Sequence, residues 1–146
     1  MNAPGETTAA KRPAAPTPMD RLAGLAGVSA VETNTLDAWL AGEGASVLLF
    51  SGVAKGRDEA QDVAVVLCEM VGLFAGRLRI GIVDPAAEDR LRGRFGVQVL
   101  PSLVFMNGPA PRRIITRIRD WAVYEQAFAE HLALATVPRP SPSSLE

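Results

Sequence analysis

Few residues in this chain are equipped for chemistry. Its 146 residues hold one cysteine, Cys68, and one histidine, His131. A lone cysteine excludes an internal disulfide and any metal site built on a cysteine cluster. A lone histidine excludes the usual triads and multi-histidine metal sites. Cys68 lies within Val65-Val66-Leu67-Cys68-Glu69-Met70. That apolar setting favours a small core residue, because reactive thiols need electropositive, partly exposed surroundings. Thiol exchange would also need a second thiol to resolve the mixed disulfide. His131, beside Glu130, has no nucleophile placed to pair with it and is expected to be a surface or packing residue.

The carboxylates are more suggestive. At about 100° per residue, Asp58, Asp62 and Glu69 share a narrow arc of one helix, with Glu59 next to it. The other side is apolar: Val63, Val66, Leu67, Met70 and Phe74. Two readings stay open. A solvated face is the common outcome. An acidic strip that receives a basic peptide is the functional one, since arginine–carboxylate pairs are directional. Glu88-Asp89 stands among Arg90, Arg92 and Arg94 and is expected to form ordinary surface ion pairs. The loop Ser51-Gly52-Val53-Ala54-Lys55-Gly56-Arg57 joins a strand to a helix but does not match G-x-x-x-x-G-K-[ST]. Its glycines suit a turn, and Asp58 and Glu59 suit the positive end of the helix dipole. These residues supply no catalytic group, no cofactor site and no metal site; ligands for a metal carrier are too few and scattered.

The elements that would position these groups alternate between strand and helix. A length of 146 residues suggests one domain with a core of its own. Hydrophobic residues make up 48% and charged residues 21%, as in soluble globular proteins. The net charge of −1 gives no field that would recruit nucleic acid or an anionic membrane. Lys11-Arg12 is followed by Pro-rich sequence and not by an apolar stretch, so no secretory signal is expected. No run reaches spanning length. A cytoplasmic protein without membrane insertion is the expectation.

Residues 1–18 are rich in Ala, Pro and Thr and are expected to be a disordered tail. The domain is expected over 19–136. Residues 137–146 form a second loose tail whose end resembles a cloning scar. Between the tails the pattern predicts a short helix over 20–26, a weak strand over 28–33 and a short helix over 35–40 capped by Thr35. A buried strand over 46–51 follows, then a long helix over 58–74 stopped by Gly76. A strand over 78–84, a helix over 85–95 and a strand over 102–106 come next. Asn107-Gly108 marks a turn before a strand over 112–118. A last helix, capped by Asp120, carries Trp121, Tyr124, Phe128 and Leu132 at helical spacing. The result is an α/β chain with a central mixed sheet flanked by helices.

Leu100-Pro101-Ser102, an apolar residue, a proline and a small hydroxyl residue before a buried strand, resembles the cis-proline loop of the thioredoxin fold. In that fold the loop faces the redox cysteines, which this chain lacks. Further blocks narrow the likeness: Asp62-Val63-Ala64-Val65-Val66-Leu67 with Glu69, Gly76-Arg77-Leu78, Arg94-Phe95-Gly96-Val97 running into Leu100–Phe105, and Arg117-Ile118-Arg119-Asp120-Trp121 with Tyr124. With these, residues 20–135 resemble the HyaE/HupG/HoxO family of hydrogenase expression and formation proteins, which are thioredoxin-like and lack the redox pair. Cys68 departs from that pattern, standing where a proline is expected, and Pro109–Pro111 replaces the usual hairpin turn.

The resemblance implies a non-catalytic role in maturing a nickel–iron uptake hydrogenase. It implies binding of the small-subunit precursor through or near its twin-arginine signal peptide, alongside other hydrogenase accessory proteins. The expected partner surface comprises Asp58, Glu59, Asp62 and Glu69 for the arginines, and an apolar groove at Leu100 and Pro101 for extended backbone. Trp121 belongs either to the core or to that surface; burial is the stronger expectation. A thiol-dependent redox protein using Cys68 and a general thioredoxin-like peptide-binding module are the alternatives.

Overall fold

The computed structural model describes residues 15–42, 44–56 and 58–136. Of the expected 1–18 tail, residues 1–14 lie outside the described residues, as do the whole 137–146 tail and Arg57 of the loop. The elements run in the expected order. They are α1 (Pro18–Ala23), β1 (Val28–Val31), α2 (Leu36–Leu40), β2 (Ala45–Phe50), α3 (Glu59–Leu73), β3 (Leu78–Val83), α4 (Glu88–Phe95), β4 (Ser102–Asn107), β5 (Ala110–Thr116) and α5 (Trp121–Thr136). Single 3₁₀ turns precede α3 and α4, at Val53–Lys55 and Pro85–Ala87.

Local chemistry explains the boundaries that moved. The first helix opens at Pro18, inside the expected tail, because Thr17 and Asp20 form a reciprocal capping box and proline fits the first helical position. Thr35 does not cap α2. Its hydroxyl instead accepts from the Glu32 amide at 2.8 Å and closes the preceding turn. The helix expected over 85–95 divides, since the Asp84 carboxylate accepts from the Ala86 amide and sets a 3₁₀ turn first.

The five strands form one sheet in the order β1-β3-β2-β4-β5. β1, β3 and β2 are parallel, whereas β4 is antiparallel to both β2 and β5. This is the thioredoxin arrangement. Alternation along each strand supplies two cores. Val47, Leu49, Ile80, Leu103 and Phe105 face the side covered by α1, α3 and α5. Leu48, Phe50, Val83, Val104 and Met106 face the side covered by α2 and α4. Because β2 is buried on both faces, it reads as the continuous apolar run Val47-Leu48-Leu49-Phe50. At Gly81 a β-carbon would come within 3.0 Å of the Trp39 ring and 3.1 Å of Leu48, so only glycine lets α2 lie that close to β3.

The register decides which loops meet. Phe50 pairs with Ser102, Ser102 with Thr116, and Val31 with Val83. One end of the sheet therefore gathers the Ser51–Gly56 segment, Asp84, the loop ending at Pro101 and the segment Arg117–Asp120. Among the described residues no helix is long and apolar enough to cross a membrane.

Candidate functional site: the strand-end surface

Three segments build this end of the sheet. The first is the Ser51–Gly56 loop, which occupies the place of the redox pair in thioredoxins. Its backbone turns at Gly52, whose φ of +71° suits glycine. Sequence reasoning missed what lies beneath it. Glu88, expected at the surface, is fully buried. One of its oxygens accepts from the Gly52 amide at 3.0 Å and from the Ser51 hydroxyl at 3.4 Å. The other oxygen has no hydrogen-bond partner among the described residues. The spacing Glu88, Leu91, Phe95 is the helical i, i+3, i+7 stripe, and that signal would have placed Glu88 inward. Asp89 behaves as expected. It pairs with Lys55 at 3.1 Å and Arg92 at 3.6 Å, and the Lys55 ammonium holds its carboxyl below the usual range.

The second segment is the cis-proline loop. The Leu100–Pro101 bond is cis. Arg92 bonds to the carbonyls of Val97 and Gln98, and the Ser102 hydroxyl bonds to that of Val99. Leu100 is 2% exposed and Pro101 is buried, because Leu100 joins the apolar cluster under α2 and α4. What the loop presents to solvent is Val99, at 38%.

The third segment is the strap Arg117–Asp120. Arg117 has φ +64°, the left-handed region, which costs a non-glycine residue about 1–3 kcal/mol. Three contacts hold it there. Its amide donates to the Pro101 carbonyl at 2.7 Å. Its carbonyl accepts from the Tyr124 hydroxyl at 3.0 Å, and that hydroxyl accepts from the Arg119 amide at 2.9 Å. Its guanidinium pairs with Glu59 at 2.9 Å. Tyr124 is buried beneath the strap as anchor, and burial raises its pKa. Trp121, expected in the core, is 40% exposed. It opens α5 at the edge of the sheet, before the helix reaches the packing surface used by Tyr124, Phe128 and Leu132.

The acidic face of α3 is in place but smaller than expected. Glu59 is half-buried and engaged by Arg117. Asp58, Asp62 and Glu69 are exposed and form no ion pair among the described residues. Val65 and Leu73, exposed at 48% and 58%, lie on the same stripe.

Cys68 and His131 do not belong to this surface. Cys68 is nine residues into α3, about 14 Å below its start, with its sulfur 3.9 Å from the Pro18 carbonyl. Burial pushes its thiol pKa up, the reverse of what a nucleophile needs. His131 is buried near the opposite end of β2. Its Nε2 lies 3.0 Å from the Ser46 carbonyl and its Nδ1 3.2 Å from the Arg112 guanidinium. Both contacts suit one neutral tautomer, with Nε2–H donating and Nδ1 accepting. Among the described residues no cluster of three or more His, Cys, Asp or Glu side chains is placed to hold a metal ion.

A pH prediction follows from His131. Burial and the Arg112 charge lower its pKa from the ordinary 6.5. The unfolded chain then binds the proton more readily, so this contribution to stability is complete above pH 6.5 and declines as pH falls through that value. Urea midpoints of the wild type are expected to fall between pH 7 and pH 5. His131→Gln, which keeps a donor toward Ser46 but does not titrate, is expected to flatten that slope. Equal slopes for the two proteins would assign the acid sensitivity elsewhere.

Comparison with known proteins follows the same outline. The model of the family "Hydrogenase-1 expression protein HyaE" matches residues 19–124. The hydrogenase expression/formation protein HupG of Rhizobium leguminosarum bv. viciae is 41% identical over 107 residues, covering 70% of this chain and 72% of the relative. HoxO of Cupriavidus necator is 40% identical over 113 residues, 76% of this chain and 70% of the relative. HoxO of Azotobacter vinelandii is 35% identical over 131 residues, 86% and 88% respectively.

Proposed function

The chain belongs to the HyaE family of hydrogenase expression and formation proteins, and from that membership we propose that it acts by binding rather than by catalysis. Its target is the small-subunit precursor of a nickel–iron uptake hydrogenase, engaged in the cytoplasm at the twin-arginine signal peptide. Holding that peptide would delay export until the subunit is assembled, in concert with other accessory proteins. The observation that carries the reading is the exposed α3 stripe. Asp62 and Glu69 are two helical turns apart, about 10 Å, with Asp58 one turn before them. Carboxylates on a helix with no ion pair among the described residues suit guanidinium groups, which bind them in a bidentate fork. The thiol alternative has little support, since Cys68 is remote from the cis-proline loop and its thiolate is disfavoured.

Calorimetric titration of the full chain with a hydrogenase signal peptide tests this. Binding is expected to weaken at least about tenfold when both arginines become glutamine, and by a similar factor in Asp62→Lys/Glu69→Lys. Unchanged affinity in the charge-reversed protein would make the stripe an ordinary solvated face. Equal binding of peptides with and without arginines would favour a general peptide-binding module.

A further inference from the structure

Val99, Ile118 and Trp121 are exposed at 38%, 37% and 40% on either side of a single backbone bridge. The bridge is the hydrogen bond from the Arg117 amide to the Pro101 carbonyl. Val99 stands two residues before that carbonyl, Ile118 one residue after that amide, and Trp121 three residues further on. The bridge joins the two segments that carry these exposed side chains, and a surface that gathers apolar groups is a candidate interaction site. This surface is also built. The Arg117 backbone is held in the left-handed region by Pro101, Tyr124 and Glu59 together, and that conformation sets how Ile118 is presented.

Its neighbours identify the occupant. Glu59, which holds Arg117, is the first residue of α3. Asp58 and Asp62, exposed and without an ion pair among the described residues, stand immediately before it and within the same turn. A ligand crossing from α3 to the strap meets carboxylates first and apolar side chains second. We infer that the strap bearing Ile118 and Trp121, with Val99, seats the apolar segment that follows the basic pair of a signal peptide. A signal peptide carries its groups in that order, a positively charged stretch and then 7–15 apolar residues. The inference rests on the reading of the preceding section and adds a second contact to it: charge registers the peptide on α3, and apolar burial against the strap supplies a contact that the arginines cannot make.

The test uses the full chain and three peptides: a whole signal peptide, its arginine-bearing stretch alone, and the whole peptide with both arginines replaced by glutamine. Trp121 is its own reporter. The whole peptide is expected to shift tryptophan emission to the blue, the short one to leave it unchanged, and the shift to vanish in Trp121→Phe, where Trp39 remains. Calorimetry is expected to show about a tenfold loss for the whole peptide in Trp121→Ala and in Ile118→Ser, less than about twofold for the short peptide, and most affinity retained in Trp121→Phe. Both variants change exposed side chains, and an unchanged thermal midpoint confirms that they fold. Whole-peptide affinity within twofold of wild type in both variants would overturn the inference and leave the acidic contact standing. Failure of the whole peptide to bind wild type would overturn both readings. Self-association of the free chain that disappears in Trp121→Ala would give the patch to a second copy and overturn the inference alone.

Discussion

Phe105→Ala is expected to lose about 3–5 kcal/mol of stability, more than any other single change argued for this protein. Phe105 is 1% exposed near the middle of β4. It meets the Phe128 ring edge-on at 4.9 Å and the His131 ring at 5.1 Å. Both partners belong to α5, so this side chain is a central part of the seat of that helix on the sheet. Truncation removes the apolar area of a whole ring and two edge-to-face contacts, and leaves a cavity between two rigid layers. Against a total of about 5–15 kcal/mol for a domain of this kind, such a loss is a large share. Phe105→Leu, which fills most of the volume, is expected to cost much less. Urea unfolding of the three proteins checks this. A loss below about 1 kcal/mol in the alanine variant would mean that α5 is held elsewhere, and the placement of Trp121 would need another account.

Glu88 separates two substitutions that sequence alone would treat alike. Glu88→Ala is expected to cost about 2–4 kcal/mol, because it strands the Gly52 amide and the Ser51 hydroxyl in a buried setting, each worth about 1–3 kcal/mol when left without a partner. Glu88→Gln is expected to cost less than the alanine change. Its amide oxygen can take over both hydrogen bonds, so the Gly52 amide and the Ser51 hydroxyl keep their partner, while its NH₂ stands where the described residues place none. Hydrogen exchange localises the effect. Faster exchange at Gly52 and Val53 is expected in the alanine variant and not in the glutamine variant. Destabilisation of both by the same amount would show that the bare oxygen has a partner of its own. The same contrast bears on function, since these bonds fix the loop that stands in place of the redox pair.

Sequence and structure agree most where periodicity is strong. The burial of β2 and the apolar face of α3 could each be read from residue order, because side-chain period is a property of the backbone alone. So could the scarcity of reactive side chains, with one cysteine set in an apolar helical stretch and one histidine. The family resemblance was legible for a related reason. Two of its four blocks fall at the cis-proline loop and the strap, where backbone geometry restricts which residues are tolerated.

What the sequence could not decide is which side of a boundary a residue falls on. Trp121 has the spacing of a core residue, yet it begins its helix at the rim of the sheet, and only the position of α5 on β4 and β5 leaves its ring in solvent. Leu100 and Pro101 have the composition of a binding loop, yet the apolar cluster under α4 draws Leu100 inward and leaves Val99 outside. Glu88 has the look of a surface charge, and its burial follows from the loop that folds over the start of α4. Glu59 sits on an acidic strip, yet Arg117, 58 residues away, has already engaged it. Each outcome depends on two segments distant in the chain meeting at one end of a sheet, and strand order, which no local pattern encodes, sets those meetings. The sequence by itself determined the elements and their inward faces. The tertiary structure alone decided which of the remaining side chains face solvent.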